Sequence, residues 1–238
     1  MTRQQPDAGT ATEVLAALRG GLVVSCQARD GEPLHGPEHM VAMALSVLRG
    51  GAVGLRVEGL ADVAAVAAVV DVPVIGLRKV GHQGVYITPT VRDAVMVARA
   101  GADVVAVDAT GRPRPDASTL ADLVRAVHDE GRVLLADVAT FAQGVAAAEA
   151  GADAVSSTLS GYTGPGPVPD GPDLDLVAAL AARLPVPVFA EGRLRTPQEA
   201  ARARAAGAWA VVVGSAITRP ATIAAGFSAA LVDVPPAP

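Results

Sequence analysis

The chain has 238 residues, 51% of them apolar and 18% charged, with a formal net charge of −5 and only 3% aromatic side chains. Such a chain can bury a sizeable core of Ala, Val and Leu. It is poor in the rings on which single-stranded bases stack and has no basic run longer than two residues, so nucleic acid is not an expected partner. One cysteine rules out an internal disulfide framework, the amino terminus has no apolar signal core, and no apolar run nears the roughly 18 residues of a membrane span, so a soluble cytoplasmic protein with no membrane partner is expected.

Residues 1–11 are polar and read as a loose end, as do 233–238 at the other terminus, and 12–19 fit a short helix covering the bottom of the fold. From there strand-length apolar runs alternate with alanine-rich helical segments. GLVVSCQ at 21–27 leads to a helix over about 36–49, RGGAVGLRV from Arg49 to one over 60–70, VPVIGLR at 72–78 to 90–100, and RAGADVVAV from Arg99 to 116–130. RVLLADV at 132–138 leads to 141–150, EAGADAVSS from Glu149 to 173–184, VPVFAEG at 186–192 to 196–206, and AAGAWAVVV from Ala205 to 216–231. Every second unit repeats a helix end, a Gly-Ala turn and a strand at a spacing of about 50 residues, and the glycine suits the left-handed residue that closes a helix.

Eight strand–helix units in a chain of this length predict an α/β fold, a single domain over 1–238 closed as a (β/α)8 TIM barrel. A doubly wound open sheet is the structural alternative, but the fourfold period and the lack of a GxGxxG after the first strand favour closure. The loop SGYTGPGPVPDGP at 160–172 is too rich in Gly and Pro for regular structure, and it falls at the carboxyl end of the sixth strand, where barrels bind their ligands.

Nearly every polar interruption of these apolar strands falls at one end. The ends present Ser25 and Gln27, Arg56 and Glu58, Arg78 and Lys79, Asp108 and Thr110, Asp137 and Thr140, Ser156 to Thr158, Glu191 and Arg193, and Gly214 and Ser215. In a closed barrel that end is the active face. Bland roles compete with this reading. Asp108 equally fits the organiser of its own Pro-rich turn, Asp137 could orient a neighbour, and Cys26 fits a small core residue. His35, His39, His82 and His128 have no metal-ligand spacing, so no metal is expected.

Two constellations stand out. Gly192 and Arg193 after the seventh strand, with Gly214 and Ser215 after the eighth, offer exposed backbone N–H groups for a phosphate, with Arg219 adding charge; an ordinary Gly-Ser helix cap is the alternative. Lys79 and Glu191 end strands three and seven and would face each other across the mouth. A lysine base must be neutral, so desolvation or neighbouring cations such as Arg56 and Arg78 would have to lower its pKa, while Glu191 would oppose them.

GGLVVSCQA, GLRVEG, PVIGLRK, VYITPT, GADVVAVDATGRPRP, STLSGYT, AEGRLRTPQEA and GAWAVVVGSAITRP together resemble the N-acetylmannosamine-6-phosphate 2-epimerase family over about residues 20–230. The resemblance implies interconversion of N-acetylmannosamine 6-phosphate and N-acetylglucosamine 6-phosphate on a (β/α)8 barrel, as in sialic acid catabolism, with no metal or nicotinamide cofactor. It implies Lys79 as general base, Glu191 as its acid/base partner, Gln27, Arg56, Asp137 and Arg219 as holders of sugar and phosphate, and Tyr162 over the site. The chain departs from the family in the loop after the lysine, KVGHQGVYITPT, which lacks the usual Arg-Asp pair.

The chemistry this implies is removal of the C2 proton of the open-chain amino sugar and its return to the other face, with the enolate oxygen held by a donor and the phosphate as anchor. Two other readings stay open from the residues: an aldolase using Lys79 as a Schiff-base amine, and a barrel that binds sugar phosphates without turnover. The partner expected in each case is a small amino-sugar phosphate or related sugar phosphate. The sequence leaves the oligomeric state open, a homo-oligomer included.

Overall fold

A computed structural model describes residues 9–232, with side chains from residue 12 onward. Eight parallel strands close into a barrel in chain order: β1 (Leu22–Cys26), β2 (Gly54–Glu58), β3 (Val74–Leu77), β4 (Val104–Asp108), β5 (Val133–Asp137), β6 (Ala154–Ser156), β7 (Val188–Glu191) and β8 (Ala210–Val213). Pairing of Leu22 with Val211 and Val24 with Val213 joins the last strand to the first. The sheet is therefore closed, as the fourfold repeat predicts, and not doubly wound. Among the described residues no helix is long and apolar enough to cross a membrane.

The strands are apolar on both faces because both faces are covered. Inward side chains, among them Val23, Ile75, Leu77, Ala106, Leu135, Phe189 and Val212, fill the barrel. Their outward neighbours, among them Val24, Leu55, Val74, Val105, Leu134 and Val211, pack under the helices. The amino-terminal end is plugged from α1 (Gly9–Ala17) and the turn after it: Leu15 and Leu18 join the inner cluster, and the Trp209 indole donates to the Leu15 carbonyl at 2.7 Å. The helix begins at Gly9, inside the stretch 1–11 read as a loose end; residues 1–8 and 233–238 lie outside the described residues.

The outer helices are α2 (Pro37–Arg49), α3 (Leu60–Ala67), α4 (Val91–Arg99), α5 (Leu120–Asp129), α6 (Phe141–Glu149), α7 (Leu174–Arg183) and α8 (Pro197–Ala205). Their starts are written in the sequence. Thr119, Thr140 and Thr196 each cap a helix reciprocally: the hydroxyl accepts from the backbone N–H three residues on, and that residue's side chain accepts from the threonine N–H, which satisfies amides that have no partner within the helix. Thr140, at first sight a strand-end polar residue, is thus spent on the start of α6. The Gly-Ala turns behave as their period suggests: Gly51, Gly101, Gly151 and Gly207 take φ of 94°, 108°, 95° and 100°, which an L side chain rarely adopts.

The segment 216–231 is two helices, not one. A single turn, α9 (Ser215–Thr218), ends at Arg219, and α10 (Pro220–Val232) starts anew and buries none of its residues. Pro220 has no N–H and disfavours the helical region for the residue before it, which places Arg219 at φ −121°, ψ 82°. The Thr218 hydroxyl ties the short turn to the Ser25 carbonyl at 2.9 Å.

Packing between sheet and helices leaves no room at Gly76 on β3. A Cβ there would stand 2.6 Å from the Ala102 Cβ and 2.8 Å from a Val97 methyl. Gly76→Ala should overpack this layer and cost about 1–3 kcal/mol. Urea unfolding should show a lower midpoint at an unchanged slope.

Candidate active site

Strand alternation decides which polar side chains enter the barrel. Counting inward from Val23, Ile75, Ala106, Leu135, Phe189 and Val212, the inward positions at the carboxyl ends are Ser25, Gln27, Arg56, Glu58, Lys79, Asp108, Asp137, Ser156, Glu191 and Gly214. Arg78 has the outward parity. Its guanidinium reaches the Asp93 carboxylate at 2.7 Å, so it does not serve as the cation beside Lys79.

The floor of the mouth is a buried charge cluster. Arg56 is only 1% exposed and meets both Asp137 oxygens, at 3.1 and 2.6 Å. Its Nη1 also lies 3.0 Å from Glu191 Oε2. A buried guanidinium without such partners would be very costly. The Thr158 hydroxyl stands between the two carboxylates, 2.8 Å from Asp137 and 3.0 Å from Glu191. Burial pushes the Glu191 pKa above the ordinary carboxylate range; Arg56 and Lys79 oppose the rise, as does a Thr158 hydroxyl whenever its hydrogen points at the ionised carboxylate, and Asp137 adds to it.

Lys79 is held by the loop that follows it. Lys79 pairs with Ile87 as an isolated antiparallel bridge, Val80 N–H donates to the Tyr86 carbonyl at 2.9 Å, and Lys79 N–H donates to Glu58 at 3.1 Å. The ammonium donates to Gln27 Oε1 at 2.6 Å, and the Gln27 amide donates to Ser25 Oγ at 2.9 Å. Lys79 stands exposed at the open mouth. The surrounding walls nonetheless lower its pKa, desolvation being the main cause; Arg56 and Arg29 act in the same sense, and Glu58 and Glu191 against it.

Lys79, Gln27, Arg56, Thr158, Tyr162 and Glu191 line one cavity of about 690 Å³, together with the turns Gly192–Arg193 and Gly214–Ser215. The two turns differ in character. Gly192 and Arg193 both have positive φ, 107° and 56°. The Arg193 side chain is committed to the neighbouring loop: it donates to the carbonyls of Gly171, at 2.6 Å, and Ser160, and its guanidinium covers the Tyr162 ring at 5.5 Å. It thereby pins loop 160–172, so any anion contact from this residue falls to its backbone. Gly214 sits where β8 approaches β1, and a Cβ there would be 3.3 Å from that of Ser25. Arg219 lines the outer part of the mouth and is paired with Glu32.

Tyr86 also lines the cavity, although strand-end reasoning does not find it, because the loop folds back antiparallel to the barrel. Its only sequence signal is its place in VYITPT. Asp108 takes its bland role, accepting from the Thr110 amide and hydroxyl and from Arg112. Burial pushes the Cys26 thiol up to about 12, which suits a core residue and not a nucleophile. Among the described residues no group of three or more His, Cys, Asp or Glu is arranged to hold a metal ion.

Residues 40–233 match the model of the NanE family, described as "Putative N-acetylmannosamine-6-phosphate epimerase". The chain belongs to this epimerase family. A Cutibacterium acnes protein named "Putative N-acetylmannosamine-6-phosphate 2-epimerase" is 50% identical over 226 residues, 94% of this chain and 99% of that one. A protein of the same name from Caldanaerobacter subterraneus is 44% identical, over 90% of this chain and 92% of its own. The solved N-acetylmannosamine-6-phosphate 2-epimerase from Clostridium perfringens superposes with a TM-score of 0.88 at 36% identity, covering 97% of this chain and 99% of that one. In this member of the epimerase family, the lysine and glutamate ends of β3 and β7 open into one chamber whose floor is the Arg56 cluster.

Removing the cation from that cluster should be severe. In Arg56→Met the buried Asp137 and Glu191 side chains lose their shared partner, which should cost about 3–5 kcal/mol near neutral pH. Loss of Arg56 removes what opposes the rise of the Glu191 pKa, so the deficit relative to the unaltered chain should shrink as pH falls. Urea unfolding of both chains at neutral and mildly acidic pH measures the difference.

Proposed function

We propose that the chain is an isomerase interconverting N-acetylmannosamine 6-phosphate and N-acetylglucosamine 6-phosphate through the open-chain sugar. The observation that supports it most is that Lys79 and Glu191, from opposed strands, line one cavity that also takes in both glycine turns. Inversion at C2 needs a base near that carbon, an acid within reach, and an anchor that holds the chain still.

The sugar phosphate group sits against the backbone N–H groups of Gly192–Arg193 and Gly214–Ser215. Ser215 and Ala216, as the first residues of a helical turn, have amides without an intrahelical acceptor. Arg219 reaches the outer edge of the same mouth. Anchoring of this kind is worth about 7–11 kcal/mol of the barrier. Neutral Lys79 removes the C2 proton; the electron pair of the C–H bond moves to form the C1–C2 double bond, and charge develops on O1. Lys79 ammonium, once formed, and Arg56 stabilise that charge. Glu191 donates in ring opening or in return of a proton to C2. Gln27, which accepts from Lys79, fixes the amine, and Tyr162 and Tyr86 wall the sugar in. The chemistry asks for no metal or nicotinamide.

A proton NMR time course started from either 6-phosphate should converge on one mixture, and in deuterium oxide the C2 position should exchange. Lys79→Met should lower kcat about 10²–10⁴-fold. Because the working form of Lys79 is neutral, turnover should rise with pH through a limb set below the ordinary lysine value, in the direction its desolvation gives. Borohydride added with substrate should trap no adduct. A trapped adduct on Lys79 would point to an aldolase, and binding without interconversion to a sensor.

A further inference from the structure

Thr158 has one hydroxyl proton and three oxygen neighbours. Its Oγ1 lies 2.8 Å from Asp137 Oδ1, 3.0 Å from Glu191 Oε2 and 2.8 Å from Ser156 Oγ. A hydroxyl donates once and accepts twice. If Glu191 is ionised, Thr158 serves only one carboxylate, and the other oxygen faces a lone pair at hydrogen-bonding distance. If Glu191 carries its proton on Oε2, each of the three Thr158 contacts is satisfied. Glu191 donates to Thr158, Thr158 donates to Asp137, and the fully buried Ser156 donates to the remaining Thr158 lone pair.

Charge leads to the same state independently. Arg56 supplies one positive charge to two carboxylates, and Asp137 takes both ends of the guanidinium while Glu191 touches only Nη1. A proton on Glu191 makes the cluster neutral where solvent is excluded. The groups that face Glu191 on β7 are Arg56 from β2, Asp137 from β5 and, farther off, the Lys79 ammonium after β3; the adjoining strands bring Ser156 and Thr158 from the β6 side and Val212 from β8.

We propose that Thr158 is a positioning residue that keeps a proton on Glu191: its oxygen accepts from the protonated carboxyl while its own hydrogen is committed to Asp137. When Glu191 gives its proton to substrate, the Thr158 hydroxyl can turn toward the new carboxylate, at the cost of its bond to Asp137, and it turns back when the proton returns. The hydroxyl is thus a rotor that favours the acid form at rest. The proposal rests on the epimerase reading for what that proton does, but not for its existence.

The sign of one titration decides the matter. The Glu191 carboxyl carbon, identified by its loss in Glu191→Gln, is followed by ¹³C NMR against pH in the protein without substrate. Thr158→Val keeps the shape and removes the acceptor, so its midpoint should fall by about one pH unit, tenfold in protonated fraction. Thr158→Ser should keep the unaltered midpoint. Thr158→Cys, whose sulfur is a far weaker acceptor, should shift the midpoint down as valine does and serves if the valine chain does not fold. A midpoint that rises in the valine or cysteine chain would make Thr158 a simple donor to the ionised carboxylate and overturn the proposal, as would no change. If the variants show the downward shift but the unaltered chain never interconverts the two sugars, the epimerase reading is refuted and the Thr158 assignment stands.

Discussion

The site depends on a single buried guanidinium. Arg56 comes from the middle of an apolar strand, is almost sealed from water, and holds two carboxylates from across the barrel. Its side chain links β2 to β5 and β7 through charge, where the sheet itself links only neighbours. A charge in this place is compatible with folding only if its partners are fixed. That requirement makes the floor of the mouth rigid, and a rigid floor lets the more exposed groups above it be aimed. The demand of Asp137 on the same cation leaves Glu191 with only a share of its charge.

Desolvation acts on the two candidate acid–base groups in opposite senses, and both move toward neutrality. The Glu191 pKa rises and that of Lys79 falls, each mainly because surrounding protein replaces water. Attraction between them would drive the other way, toward an ion pair. It is weakened because each is occupied elsewhere: Lys79 hydrogen-bonds Gln27, and Glu191 lies against Arg56 and Thr158. Burial thus favours a neutral amine opposite a neutral carboxyl, the arrangement that the proposed proton transfer through a sugar carbon requires.

Much of this was legible in the sequence because a barrel strand has a period of two and a single active end. Once β2 and β7 are recognised as strands buried on both faces, Arg56 and Glu191 have no inexpensive reason to be there, and their parity aims them inward. The repeat of Gly-Ala turns gives closure by the same logic. What escaped lies where the period does not apply. Tyr86 reaches the chamber from a loop that doubles back, and the use of Arg193 depends on carbonyls of Gly171 and Ser160 that no spacing rule connects to it. Arg78 was ambiguous only until the strand phase was known, since one residue of phase separates the site from Asp93. The break before Pro220 was readable from proline chemistry but was hidden by the continuous apolar pattern on either side.

The loop after Lys79 shows how a site can be held by backbone. The lysine does not rely on the loop's side chains for its position. Its backbone is fixed by the bridge to Ile87 and by Glu58, and its ammonium by Gln27 from β1. Thr88, at φ 44° and fully buried, bends the returning strand so that its hydroxyl bonds the Ala106 carbonyl at 2.7 Å and its amide bonds the Arg78 carbonyl at 2.6 Å. Those bonds anchor both ends of the excursion to β3 and β4, and a strained residue is held there because its surroundings over-determine it. The position of the Lys79 amine is thus set by the barrel rim and the Ile87 bridge, and the loop also contributes the Tyr86 wall.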